Sequence, residues 1–576
     1  MNKISLLAFL LVLVSKTFAQ DRYITLFEKS GGTETPKYAE VISYYQNLAT
    51  DFEQVQIKTM GPTDSGEPLH LVIFDPKRDF NPEKWKSEGR LVVFVNNGIH
   101  PGEPMGIDAS MMYLRDLCLE REKWSEDMVL AIIPVYNIGG HLNRNATTRV
   151  NQEGPKEHGF RGNAQNYDLN RDFIKTDTKN SASFQEIFQW LSPHVFLDNH
   201  TSNGADYQHV MTLIETQHNM LGGKAAEYMH KVLTPGLYKE MKQRDFPLVP
   251  YVNVWGDVPE KGWNQFKDSP RYSSGYTSLF HTISYVPEAH MLKSYKQRVE
   301  SMYALFQSYF AILDRDADEV VRAVEADRKA DMAKVSFDFN YQLSKENPVN
   351  IEFLGYQSGY KSSEISGKER LFYDRSQPYT IEVDYYDTYV PSLTIKKPKA
   401  YVIPQGWHKV LDNLKRNNVE MYALNSDTSM TLQVYKIEDF ETLSSPYEGH
   451  YLHTGIKVKK AERKVDFRAG DWIVPMDQEA NGYIMEVLEP EAEDSFFAWN
   501  YFDTIIQSKE GYSAYVFEDL AAKFLKENPA IRAALEKKKS EDAAFANNGA
   551  AQLRWVYEHS PWKEEAHMQY PIFRWE

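Results

Sequence analysis

Four short apolar runs limit what this chain can fold into. They are LVVFVN (residues 91–96), VLAIIPVY (129–136), VFLD (195–198) and TISYV (282–286). Each is nearly continuous in apolar residues, with little sign of polar alternation, which is the pattern of a strand buried on both faces. Helical patterns lie between them, over residues 107–121, 184–191 and 222–232. This alternation predicts an α/β domain, with a mostly parallel or mixed sheet flanked by helices. A long charged helical pattern over residues 295–334 packs on that domain and leads out of it. Beyond residue 335 the character changes. Residues 335–343, 379–385 and 432–435 alternate polar and apolar, separated by Gly, Pro, Asn and Asp. That predicts a β-rich accessory region. Within it, residues 399–424 read as strand–helix–strand, and the tail returns to helix over about 517–539. The expected division is 20–335 for the α/β domain and 336–576 for the accessory region.

Charge and cysteine usage exclude several classes. Lys and Arg number 65 against 81 Asp and Glu, a net charge of −16, and no long basic tract is present. A nucleic-acid partner is therefore not expected, since phosphate binding needs a basic surface. The single cysteine, Cys118, rules out cysteine-rich metal sites and internal disulfides. The chain begins MNKISLLAFLLVLVSKTFA, with an early lysine, an apolar stretch and a small residue before Gln20. This reads as a signal peptide over residues 1–19 that directs export to the periplasm or the medium. No later stretch is long and apolar enough for a membrane span, so none is expected once the signal is removed.

Two strand ends carry metal-ligand chemistry. VNNGIHPGEP places His100 and Glu103 three apart, just past the first apolar run. In open α/β sheets the ligand crevice lies beyond the carboxyl ends of the strands, and Pro101-Gly102 makes a tight turn there. VFLDNHTS places His200 just past the third run, with Asp198 two residues earlier to orient it. Catalytic zinc takes three such ligands, often two His and one Glu. The HxxE spacing is weak alone; its position and the second strand end strengthen it. Between them, GFRGNAQNYDLNRDF holds Arg161, Asn170 and Arg171 in a polar loop. Guanidinium groups suit bidentate recognition of carboxylates. Glu288 follows the fourth run in the apolar setting TISYVPEAH.

HPGE (100–103), DLNR (168–171), DNHTS (198–202) and the late SYVPEAH strand together resemble the zinc metallocarboxypeptidases of the carboxypeptidase A/B type. The resemblance covers roughly residues 21–320. It implies one zinc per chain held by His100, Glu103 and His200, and a peptide as substrate. It further implies that Asn170 and Arg171 bind the peptide's terminal carboxylate. Arg161 then polarises the scissile carbonyl, and Glu288 is general base towards a zinc-bound water nucleophile. Tyr272 resembles the mobile tyrosine that covers substrate, with Tyr276 as a close rival. The chain departs from the family pattern at Asn137-Ile138-Gly139-Gly140, where an Asp is usual, and in the short spacing from Arg161 to Asn170. Two alternatives stay open, the first with the same metal set and the second resting on the aromatic β-rich region. One is a zinc amidohydrolase acting on N-acyl amino acids or cell-wall peptides. The other is a non-catalytic secreted protein that binds peptides or glycans.

Overall fold

The computed structural model describes residues 22–576, so the expected signal at residues 1–19 lies outside the described residues. The four apolar runs become central strands. β1 (Val55–Pro62) and β2 (Pro68–Phe74) form an antiparallel hairpin at one edge of a nine-stranded sheet. β3 (Leu91–Asn96) lies parallel to both β4 (Met128–Ile133) and β5 (Val195–Asp198). β6 (His200–Ser202) is a short continuation after β5. β7 (Met211–Glu215) leads to β8 (Val249–Pro250). The two-residue β9 (Trp263–Asn264) lies outside this sheet, and β10 (Ile283–His290) returns to its centre. The sheet order is β1-β2-β4-β3-β5-β10-β7-β8, with β6 paired to β10. Parallel and antiparallel pairs both occur, so the sheet is mixed.

Every residue of β3, β4 and β5 is buried, as their unbroken apolar composition requires. Helices cover both faces. α1 (Met105–Cys118) follows β3, α2 (Lys179–Leu191) precedes β5, and α3 (Tyr295–Ala333) runs for 39 residues and packs against α1. Ser294 starts α3 with a capping box: its side chain accepts from Gln297 N–H, and Gln297 returns the bond to the cap backbone. Among the described residues, no helix is long and apolar enough to cross a membrane.

After α3 the chain is β-rich. A long hairpin pairs Val349–Ser362 with Glu369–Tyr386, and the latter strand also pairs with β9 through Tyr385 and Trp263. A six-stranded sheet follows, in which the last strand, Phe573–Trp575, lies between Ala400–Ile403 and Thr428–Thr442. The strand–helix–strand unit appears as Ala400–Ile403, His408–Arg416 and Tyr422–Ala423. Four helices from Ala514 to Glu558 close around their own small core of Phe517, Leu535, Phe545 and Leu553. The main hydrophobic core runs without a break from the α/β portion into the C-terminal portion. Phe280, beside β10, stacks on Tyr483 with ring centroids 5.6 Å apart.

Candidate metal centre and substrate cavity

β3 and β5 are parallel neighbours, so residues just past their carboxyl ends meet at one edge of the sheet. His100 and His200 arrive there from the two strands, 100 positions apart in sequence, and their Nδ1 atoms lie 3.1 Å apart. Glu103 Oε2 is 3.3 Å from His100 Nδ1 and 3.2 Å from His200 Nδ1. Two donors held about 2.1 Å from a tetrahedral ion are about 3.4 Å from each other. The three atoms therefore outline one face of a coordination tetrahedron, and the two imidazoles with one carboxylate are the donor set that zinc prefers. All three residues are buried.

The outer nitrogens of both imidazoles face carboxylates. His100 Nε2 lies 2.8 Å from Asp168 Oδ1, and His200 Nε2 lies 3.1 Å from Asp198 Oδ2. Asn96 donates to Asp198 Oδ1 at 3.0 Å and fixes that carboxylate in turn. Such partners set the tautomer and orientation of a ligating histidine. Burial opposes charge on Asp168, yet the adjacent His100 and Arg161 hold its carboxyl well below the usual range. The free oxygen of Glu103 is taken by Arg149, whose Nη1 donates to Oε1 at 2.8 Å. Thr201 N–H donates to Glu103 Oε2 at 2.9 Å.

The triangle opens into a cavity of about 380 Å³ lined by Arg149, Arg161, Asn170, Arg171, Tyr272 and Glu288, among others. Glu288 and His200 are register partners in the parallel pair β10–β6. Glu288 Oε2 is buried without a hydrogen-bond partner. Burial pushes this carboxyl up to about 8, against the pull of His200 and the two arginines. Asn170 and Arg171 sit in a single 3₁₀ turn, Leu169–Arg171, capped by Asp168, whose side chain accepts from Asn170 N–H. The Asn170 side-chain oxygen accepts from Ser273 N–H at 3.2 Å, tying this turn to the segment carrying Tyr272. The Arg171 guanidinium stacks on the Tyr272 ring, 4.2 Å from its centroid.

The structure separates the two candidate tyrosines. Tyr272 lines the cavity. Tyr276 is fully buried, packs among Phe173, Phe188 and Phe280, and donates its hydroxyl to Asn417 Oδ1 at 2.6 Å. It is a core residue. All the residues expected from the sequence other than Tyr276 thus lie at one cavity.

Two further groups lining the cavity, and one contacting Asp168 behind it, carry no sequence signal that singled them out. Arg149 lies in an irregular stretch between elements, yet grips Glu103. Asp268 lines the cavity, buried beside Ser274, and burial pushes its carboxyl up to about 6. Glu448 comes from the C-terminal region: its Oε2 accepts the backbone N–H of Asp168 at 2.8 Å. Next to it, Gly449 has φ +82°, and a Cβ there would lie 2.8 Å from the Tyr167 hydroxyl oxygen, so glycine is needed for this approach.

Comparison with known proteins agrees with the geometry. Residues 41–243 match the family model described as zinc carboxypeptidase. This part of the chain is similar to the zinc carboxypeptidase family. Carboxypeptidase 2 of Trichophyton rubrum is 21% identical over 432 residues, covering 71% of this chain and 74% of that protein. Carboxypeptidase 2 of Trichophyton equinum is 20% identical over 435 residues, with the same coverage of each chain. Among solved structures, the carboxypeptidase A of Helicoverpa armigera aligns with a TM-score of 0.38 at 14% identity, over 51% of this chain and 75% of that one. These matches indicate a metallopeptidase, and His100, Glu103 and His200 are its candidate metal site.

Proposed function

We propose that this chain is a zinc carboxypeptidase that removes residues one at a time from the carboxyl termini of peptides, with one zinc ion at His100, Glu103 and His200. The observation that carries the reading is one cavity containing the ligand triangle, a carboxylate with an unpartnered oxygen, and an arginine whose guanidinium lies over a tyrosine ring.

The ion supplies a Lewis acid that acidifies water and polarises a carbonyl. The chain's own residues supply the rest. Arg171, helped by Asn170, binds the peptide's terminal carboxylate, because a planar guanidinium offers two parallel donors to two oxygens. Its seat over the Tyr272 ring restrains that fork before substrate arrives. With the terminal carboxylate held there, the last peptide bond falls beside Glu288. Glu288 takes a proton from water at its free oxygen and passes it to the leaving amine. Arg161 and Arg149, both within reach of Glu103, place positive charge where the carbonyl oxygen becomes anionic. The ring of Tyr272 covers the bound residue and excludes water.

Glu288→Gln tests these assignments. A general base is not a metal ligand, so zinc content should stay at the wild-type level while kcat falls by about 10²- to 10⁴-fold. Loss of zinc in this variant, or retention of normal turnover, would overturn the assignment of the base.

A further inference from the structure

A large aromatic side chain stands open at the catalytic cavity. Trp255 lines that cavity and is 58% exposed, whereas an indole gains free energy by leaving water. It lies in the irregular segment between β8 and the 3₁₀ turn Pro259–Lys261. The segment is nonetheless pinned on both sides of the ring. Tyr251 N–H donates to the Leu213 carbonyl at 2.9 Å, and the Tyr373 hydroxyl donates to the Asp257 carbonyl at 3.2 Å. Val252 and Val254 are buried in a small core with Trp263 of β9 and with Phe353 and Tyr385 of the long C-terminal hairpin. The exposed ring therefore sits next to an anchored residue.

The indole rests on the turn that follows the candidate metal ligand His200. A Cβ on Gly204 would lie 3.3 Å from the Val254 carbonyl oxygen and 3.9 Å from the indole, and Gly204 has φ +109°. Glycine is needed there both for the backbone conformation and for this approach. Met291 N–H donates to the Ser202 carbonyl at 2.9 Å, which brings Met291, three residues past Glu288, to the same turn. Ser202, Asn203, Met291 and Trp255 all line the cavity. The corner assigned to the terminal carboxylate is built from other residues: there the Tyr272 ring meets the Arg171 guanidinium and, at 5.5 Å, the Phe266 ring.

We propose that Trp255, with Met291, forms a subsite for the side chain of the penultimate substrate residue and selects a large apolar or aromatic group there. The inference rests on the carboxypeptidase reading: with the last residue held at the Arg171 corner and the scissile bond at the ligand triangle, the preceding residue lies along the wall beyond His200. A flat apolar side chain on that wall covers the indole and the thioether, removes both from water and adds ring–ring and sulfur–ring contacts. Glycine at the same position leaves the indole wet. The C-terminal hairpin thereby contributes to substrate choice, through the core that holds Val252 and Val254.

Two series of free-acid peptides test the subsite on the full chain, with kcat/KM read for release of the last residue. One series varies the penultimate residue through Gly, Ala, Leu and Phe and keeps the last residue fixed; the other varies the last residue behind a penultimate glycine. The wild type should favour penultimate Phe and Leu over Gly by about tenfold or more. Trp255→Ala should lower kcat/KM for penultimate Phe and Leu by about tenfold more than for penultimate Gly, and Trp255→Phe, which keeps a ring, should restore part of the preference. A wild type indifferent to the penultimate residue overturns the subsite, as does a preference that survives Trp255→Ala. An equal loss on every peptide overturns it too, because a side-chain subsite cannot act on glycine, and so does an effect confined to the series that varies the last residue. Failure of the carboxypeptidase reading gives a different result, namely no stepwise release from any free-acid peptide by the wild type.

Discussion

Glu448 accepts the backbone N–H of Asp168 across 280 positions of sequence. Asp168 in turn faces His100 with one carboxylate oxygen and Arg161 with the other. The C-terminal region therefore reaches, through one hydrogen bond, the residue whose carboxylate stands behind a candidate metal ligand. Glu448→Ala removes a charge-assisted acceptor, a loss of about 1.5–3 kcal/mol if the N–H stays unpaired. We expect kcat/KM to fall by about tenfold or more, whereas Glu448→Gln, which keeps an acceptor oxygen, restores most of it. Steady-state kinetics on the two variants decides, and equal loss in both would refute a positioning role.

Arg171→Lys separates charge from geometry. Lysine keeps the positive charge but loses the planar fork and the stacking on Tyr272. Arg171→Ala and Arg171→Lys should both reduce kcat/KM for peptides with free carboxyl termini, by about ten- to a hundredfold. A lysine variant with wild-type kinetics would mean that point charge alone suffices.

His141 makes stability sensitive to acid. It is 1% exposed within the helical turn Ile138–Leu142, with neither ring nitrogen partnered. Burial, and then Arg144, push its pKa down from 6.5 to about 3. Between those values the unfolded chain binds a proton that the folded chain refuses. Its contribution is therefore fully present above pH 6.5 and is lost as pH falls towards about 3. Each unit of that window is worth about 1.4 kcal/mol. His141→Leu should flatten the acid limb of a urea-stability profile, and an unchanged slope would contradict the assignment.

Residues 20–335 should not fold alone. Cutting after α3 exposes Phe280 and Tyr276, which pack on Tyr483, and strips β9 of its strand partner. Near-UV circular dichroism and a denaturation curve on this fragment check the point. A soluble fragment with a cooperative transition would show that the continuous core is dispensable.

Much of this site was legible in the sequence because strand burial is. Runs such as LVVFVN have no polar side, so they had to be central strands, and the residues following them had to lie at a sheet edge. That placed His100 and His200 together without any structure. Spacing could not choose between Tyr272 and Tyr276, which lie one helical turn apart; burial did. Arg149 lies in an irregular loop with no periodicity, and Glu448 acts through a backbone contact from a distant hairpin loop, so neither left a local pattern. The accessory region announced its strands by alternation but not its continuity with the main core, since alternation reports one buried face and not what covers it.

The account's central claim is hydrolysis directed by a free carboxyl terminus. It is tested most directly by incubating matched peptides, one set as free acids and one amidated, and reading the products by mass spectrometry. Arg171 and Asn170 predict a ladder of species losing one carboxyl-terminal residue at a time from the free acids, with little or no cleavage of the amides. Equal cleavage of the two sets, or cuts at internal bonds, would contradict it.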